Sequence, residues 1–284
     1  MKAVFLIRPG LPHHALAAAG VTEGLARHGI EVITCSSKDC AFELGGADFA
    51  ICWGWRIGRT LSGMLPTMVL ERGYFGDRMS WTSIGWNGLN GRARFPKWCL
   101  ISDTATRFNR LKAEHLYPWI PSPGNAAVIM GQVRGDAALA TCPDYLEWLD
   151  EAARELSKTC RVKFRPHPAD MGIPTPSCAE RLGGSLHDAL AIASHVVTWN
   201  SNAAVDAMLA GVECNVMDRG SMAWPVAGQG VLTRRIRPQP DRLAWFADLT
   251  MAQWTPAEIA GGDFWPWHAP ILNDLKQEAA PAHV

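Results

Sequence analysis

The chain carries no surplus of charge: 27 lysines and arginines face 27 aspartates and glutamates over 284 residues, and the formal net charge at neutral pH is zero. No global field advertises a nucleic-acid or membrane partner, although a local basic patch stays open. Paired cysteines are also missing. The eight cysteines (Cys35, Cys40, Cys52, Cys99, Cys142, Cys160, Cys178 and Cys214) are scattered without a Cys-x-x-Cys pair. That argues against a zinc knuckle or a redox motif and for buried thiols in a reducing compartment. No apolar run approaches the roughly 20 residues of a membrane span. The first residues enter a strand-like stretch without the basic-then-apolar layout of a signal peptide, so a soluble, cytoplasmic protein is expected. There is no Asp-x-Asp metal motif, no internal repeat and no low-complexity tract.

What is present describes a foldable globular chain, with 48% hydrophobic residues, 19% charged residues and thirteen tryptophans. Lys2 to Ile7 reads as a buried parallel strand, His14 to Arg27 as an alanine-rich helix stopped by His28-Gly29, and Ile30 to Cys35 as a second strand. Strands follow at Asp48 to Trp55 and Thr67 to Gly73, separated by a short helical segment. Their ends, Arg8-Pro9-Gly10, Gly54-Trp55-Arg56 and Glu71-Arg72-Gly73, are turns that would line one sheet edge. Tyr74 to Phe95 is a glycine-, asparagine- and tryptophan-rich segment expected to be a functional loop, because structureless connections beyond about 12–15 residues are uncommon. A helix is expected from Thr104 to Leu116, and Tyr117 to Gly124 is the clearest linker. The boundary is therefore placed near residue 120, giving domains 1–120 and 121–284. Beyond it, a strand is expected from Asn125 to Val133 and an amphipathic helix from Pro143 to Lys158. A helical pattern runs through Met251 to Ile259 in a tryptophan-rich tail.

The second half holds the most specific pattern. The apolar strand Val162-Lys163-Phe164 ends in Arg165-Pro166-His167-Pro168. Ser185-Leu186-His187-Asp188 follows, and Val196-Val197-Thr198-Trp199 then runs through Asn200-Ser201-Asn202 into an alanine-rich helix. Polar turns at the carboxyl ends of parallel strands are where open α/β sheets bind ligands. The order and spacing resemble the C-terminal half of bacterial glycosyltransferases of the capsule polysaccharide (Kdo-transferase-like) and sialyltransferase groups. The resemblance implies an α/β protein of two facing Rossmann-like domains (GT-B-like), with a C-terminal helix crossing back to the first domain. It also implies a metal-independent transfer from a UDP- or CMP-linked sugar, a co-substrate rather than a cofactor.

On that resemblance His167-Pro168 and Asn200-Ser201-Asn202 hold the phosphate and nucleoside of the donor. Arg165, Gly131, Gln132, Ser185 and Asp206 join them as donor-binding candidates. A histidine fixed between prolines is a rigid donor toward a leaving phosphate, and a strand-to-helix turn offers hydroxyl, amide and backbone N–H groups to an anion. The same residue types also make plain helix caps. No metal ligands are expected; His, Ser and Arg groups would neutralise the departing phosphate. Glu71, with Gly73, resembles the acidic-x-Gly turn that carries the general base facing the cleft between domains, with Asp77 as the competing candidate. Acceptor contacts fall to Arg8, His13, Trp53, Arg72, Arg78, Trp81, Trp86 and Asn87. Compact phage enzymes of this architecture glycosylate hydroxymethylated DNA bases. Trp81, Trp86, Arg78, Arg92 and Arg94 would suit a flipped base, and the location would then be the host cytoplasm. A saccharide acceptor is the other reading, and an epimerase or hydrolase on the same fold is a further one.

Overall fold

A computed structural model describes residues 1–8, 10–36, 43–99, 102–120, 124–230 and 241–279. Pro9, Cys40 and the linker residues 121–123, singled out in the sequence, lie outside them. The chain forms two compact units, one of residues 1–99 and 248–284, the other of residues 100–247. The boundary thus falls at 99/100 rather than near 120. The Pro-rich stretch was a misleading cue, because Tyr117 and Ile120 donate their backbone N–H groups to Leu209 and Gly211 and so belong to the second unit. The tail from 248 joins the first unit, as the resemblance implied.

In the first unit, β1 (Lys2–Ile7), β2 (Glu31–Ser36), β3 (Phe49–Trp53) and β4 (Thr67–Arg72) are parallel, and β5 (Thr82–Trp86) is antiparallel to β4. The short β12 (Gln253–Trp254), from the tail, closes the edge, giving the order β12-β5-β4-β3-β1-β2. The apolar runs in β1, β3 and β4 are buried because helices cover both faces of a parallel sheet. Helix α1 (Pro12–Ala26) starts with proline in its first turn and ends before Gly29 at φ +69°. Its Gly24 lies so close to α8 (Pro256–Gly261) that a Cβ would sit 2.0 Å from the Ile259 carbonyl oxygen. A side chain there would separate the tail from α1.

Two expectations change. The 74–95 segment is not a loop throughout: β5 occupies its centre, and a Cβ on Gly85 would meet Ala93 and Phe95 at 2.8 Å, so the glycine that looks like a loop signal permits a packed hairpin. The helical pattern of 251–259 is broken by β12. Thr255 then opens α8 with a reciprocal capping box to Glu258 and proline in the first turn, a start signal that the apolar periodicity masks.

In the second unit, β6 (Ala126–Met130), β7 (Arg161–Arg165), β8 (Glu180–Arg181), β9 (Ala193–Thr198), β10 (Cys214–Val216) and β11 (Gly228–Gln229) are all parallel, in the order β11-β10-β9-β6-β7-β8. Counted from β6, this is the 3-2-1-4-5-6 order of the doubly wound dinucleotide fold, with its reversal between β6 and β9. Asp144 caps α4 (Tyr145–Ser157) through the Leu146 and Glu147 N–H groups, and Trp148, Leu149, Ala152, Ala153 and Leu156 form the buried stripe. Each unit is therefore a Rossmann-like α/β layer structure, the fold class expected. Among the described residues, no helix is long and apolar enough to cross a membrane.

Candidate functional site

In the first unit the residues at the carboxyl ends of β1, β3 and β4 draw together. Burial in the first turn of α1 leaves His14 5% exposed, and its Nδ1 accepts the Arg8 backbone N–H at 3.2 Å, so the proton lies on Nε2. Burial, helped by the charges of His13 and Arg8, lowers the His14 pKa and keeps the ring neutral. The His13 ring meets His14 at 4.7 Å and Trp53 at 5.2 Å between centroids, and the Arg72 guanidinium lies 5.3 Å over the Trp53 ring. Glu71, half-buried, pairs with Ser83 across the β4–β5 ladder; a Cβ on Gly54 would lie 3.8 Å from its Oε1. Burial, then the Glu71 charge, pushes the Cys52 thiol up to about 12, and burial together with Glu71 pushes up the Tyr74 hydroxyl. The carboxylate thus sits at the carboxyl edge beside a thiol and a phenolic hydroxyl that stay neutral.

The remaining first-unit candidates separate from this cluster. Asp77 is a turn residue: its Oδ2 accepts the Ser80 hydroxyl at 2.5 Å and its Oδ1 the Met79 N–H at 3.0 Å, which lowers its pKa. A stabilised, solvated carboxylate is a poor base. Trp86 is fully buried, with its indole N–H donated to His268 Nδ1 at 3.0 Å. Trp81 is buried against Phe75, where Gly73 makes room for it: a Cβ on Gly73 would meet the Trp81 Cβ at 2.6 Å. Asn87 accepts the Thr67 N–H at 2.7 Å at the opposite end of β4 and has φ +50°. Arg78 lies in the turn after Glu71, its carbonyl accepting the Gly73 N–H at 3.3 Å. The aromatic-rich segment reads as a ligand loop in the sequence because its tryptophans become core only once β5 pairs.

Gln253 was missed. Fully buried, its Oε1 accepts the N–H groups of Tyr74 (2.6 Å) and Phe75 (3.2 Å), anchoring the turn that follows Glu71 to the C-terminal tail. Gln253→Leu strands two buried donors, and a loss of about 2–4 kcal/mol in unfolding free energy is expected from urea titration; a change within experimental error would show that the anchor is dispensable.

In the second unit the carboxyl edge is built by β6, β7 and β9. His167 Nδ1 accepts the Ala169 N–H at 3.1 Å, which leaves Nε2 as the ring nitrogen that carries the proton. Pro168 opens the single helical turn Pro168–Asp170. Asp170 in turn takes a bidentate pair from Arg134 (2.9 and 2.7 Å), tying this turn to the exit of β6 and holding the Asp170 carboxyl down at about 2. Arg165 donates to the Gly184 carbonyl at 3.5 Å. Burial lowers its pKa, while the charge of Asp206 acts in the opposite sense. Gly131 is explained by packing: its N–H donates to the Arg165 carbonyl at 2.8 Å, and a Cβ would lie 3.1–3.2 Å from the Arg165, Pro166 and His167 backbone. Ser201 Oγ accepts the Ala203 N–H at 3.2 Å at the start of α6 (Ala203–Ala210), with half-buried Asn202 and Asp206 beside it.

Three donor candidates are corrected. Ser185 is exposed and forms a reciprocal capping box with Asp188, a spacing legible in Ser185-x-x-Asp188. Gln132 and Asn200 lie inside the unit, 6% and 2% exposed, with their amides bonded to each other (2.8 Å) and to neighbouring groups.

No protein-family model matches the chain, and no curated protein matches it. Solved structures do. The beta Kdo 2,7 transferase of KpsC from Thermosulfurimonas dismutans superimposes with a TM-score of 0.60 at 13% identity, covering 92% of this chain and 97% of that one. The beta Kdo 2,4 transferase of the same KpsC gives 0.61 at 13% identity, covering 96% and 97%. The chain shares their fold. At this identity the likeness is one of architecture, the two-Rossmann, GT-B-like class expected from the sequence.

Proposed function

We propose that the protein is a glycosyltransferase that moves a sugar from a nucleotide-linked donor, UDP- or CMP-linked, to the hydroxyl of a saccharide. The observation that carries this reading is His167, its Nδ1 held by the Ala169 N–H so that Nε2 carries the proton, at the carboxyl edge of a sheet in dinucleotide-fold order. Such a group, with Arg165 nearby, donates to a phosphate oxygen that gains charge as the glycosidic bond breaks. Ser201 and the first turn of α6 serve the same anion, and Asp206 accepts from a sugar or ribose hydroxyl. In the first unit Glu71 takes the proton of the acceptor hydroxyl while its oxygen bonds to the anomeric carbon; the nucleotide leaves with the electron pair of the broken bond. Trp53, His13, Arg8 and Arg72 receive the acceptor.

A saccharide is favoured over a flipped DNA base because Trp86 and Trp81, the aromatics suited to a base, are buried, and Arg94 is paired with Glu278 at 2.8 Å. Zero net charge agrees.

The test is a thermal melt with UDP- and CMP-sugars, followed by mass spectrometry of saccharide and hydroxymethylcytosine-DNA acceptors. One donor at 100 times its Kd is expected to add about 2.7 kcal/mol of stability, and His167→Ala should abolish the gain. A sugar mass appearing on DNA would overturn the acceptor half of this reading, and stabilisation by none of the donors would overturn the whole.

A further inference from the structure

We propose that Asp218, with Thr141, is a positioning residue that sets the donor crevice of the second unit from inside the sheet; this rests on the reading of that unit as the donor unit. In an open α/β sheet the ligand crevice lies where the strand order reverses, here between β6 and β9. The two residues that leave those strands, Gln132 and Asn200, are bonded to one another across the reversal. Gln132 Nε2 donates to Asn200 Oδ1 at 2.8 Å, and the Asn200 backbone N–H returns to Gln132 Oε1 at 3.0 Å. Gln132 is fixed in turn by its own N–H, which donates to the Tyr145 hydroxyl at 2.7 Å. Neither amide is left to turn toward a ligand.

Asn200 has one amide proton committed to the Ala138 carbonyl at 2.7 Å, and the other goes to Asp218 Oδ1 at 3.0 Å. Asp218 follows β10 and is 9% exposed. The same Oδ1 accepts the Gly220 N–H at 2.7 Å, while Oδ2 accepts the Thr141 hydroxyl at 3.0 Å. Thr141 also receives the indole N–H of Trp199 at 3.5 Å. One carboxylate therefore ties the exits of β9 and β10 to the turn Ala137–Thr141 beyond β6. A carboxylate suits this place, because three donors converge on its two oxygens and an apolar group would leave them buried and unpaired. Ser201, the next residue after Asn200, inherits its position from this network: its N–H lies 3.4 Å from Thr198 Oγ1, which itself donates to the Met130 carbonyl at 3.1 Å. The network holds the Ser201–Asn202 turn against the β6 exit before any ligand arrives, so binding need not spend free energy on ordering it.

The experiment measures UDP and CMP binding to the full chain by calorimetry, alongside thermal melting, for wild type, Asp218→Leu, Asp218→Asn and Thr141→Val. Asp218→Leu is expected to weaken nucleotide binding by about 10-fold or more, since a turn released from this network must be ordered again on binding, and about 1.4 kcal/mol of such cost is tenfold in affinity. Asp218→Asn keeps an oxygen for Asn200 and Gly220 and should restore most of the affinity. A merely structural carboxylate would lower the melting temperature and leave the affinity of the folded protein unchanged. Where Asp218→Leu fails to fold, Thr141→Val, which removes the bond to Oδ2 and the long acceptor contact to the Trp199 indole but leaves the carboxylate with Asn200 and Gly220, decides: weaker nucleotide binding at an unchanged melting temperature supports the proposal, and wild-type affinity overturns it. Wild-type protein that binds neither nucleotide overturns the donor reading itself, an outcome distinct from variants that bind as well as wild type.

Discussion

Glu71→Gln is expected to lower kcat by about 10²–10⁴-fold, the range that a positioned general base contributes. The substitution keeps the shape of the side chain and its capacity to accept one hydrogen bond from the acceptor hydroxyl, so the KM for acceptor should move far less than kcat. What is lost is the capacity to take the proton. The geometry favours Glu71 over Asp77 for this task. Glu71 stands at the carboxyl end of β4, in register with Ser83 and beside Gly54 and the Trp53–Arg72 stack. Asp77 has both oxygens engaged within its own turn. Asp77→Asn should therefore leave kcat near the wild-type value. Steady-state rates with the donor identified by melting, at saturating acceptor, read both variants. Should Glu71→Gln turn over like wild type while Asp77→Asn is inactive, the assignment of the base is reversed.

Lowering the pH from 7 to 4 is expected to cost roughly 3 kcal/mol of stability through one histidine, at 1.36 kcal/mol per pH unit below its unfolded value. Burial holds His268 down at about 3 against an ordinary 6.5. Its ring lies among Trp86, Trp254 and Phe264, with Nδ1 accepting the Trp86 indole N–H and Nε2 buried without a partner among the described residues. The unfolded chain takes up a proton below about 6.5, while the folded one refuses it until about 3. Stability from this group is thus complete above 6.5 and falls progressively through that window. His268→Leu should be less stable at pH 7 by about 1–3 kcal/mol, because the Trp86 N–H loses its acceptor, and its stability should fall less steeply between pH 6.5 and 4. Urea unfolding followed by tryptophan fluorescence at several pH values gives both quantities. The Arg134–Asp170 pair adds little above about pH 4, since its contribution is lost only as the pH falls below the ordinary carboxyl value of 3.8, and it is common to wild type and variant. Parallel pH slopes for wild type and His268→Leu would refute the role.

The two units differ in how legible they were. The parallel strands and their polar exits could be read directly, because continuous apolar runs ending in Arg-Pro-Gly, Glu-Arg-Gly or Arg-Pro-His-Pro carry both the strand and its turn locally. Glu71, His167 and Ser201 were placed at strand exits on this pattern, and the structure puts each at a carboxyl strand end. The tryptophan-rich segment was misread because a hairpin buried against a C-terminal tail leaves no local mark. Trp86 looks like a stacking platform until His268, far along the chain, accepts its N–H. Asn200 and Gln132 look like ligand contacts because cap, ligand and network roles use the same amides.

By itself the sequence determined the α/β class, the strand ends that carry polar turns, and the absence of charge excess or paired cysteines, since all of these follow from composition and short-range periodicity. Only the tertiary structure decided that the chain divides at residue 99, that Gln253 anchors the turn after Glu71, and that Gln132 and Asn200 join across the strand reversal with Asp218 bonded to Asn200. Those features depend on pairing between residues distant in sequence, and a buried polar group shows its role only when the partner that satisfies it has been brought alongside.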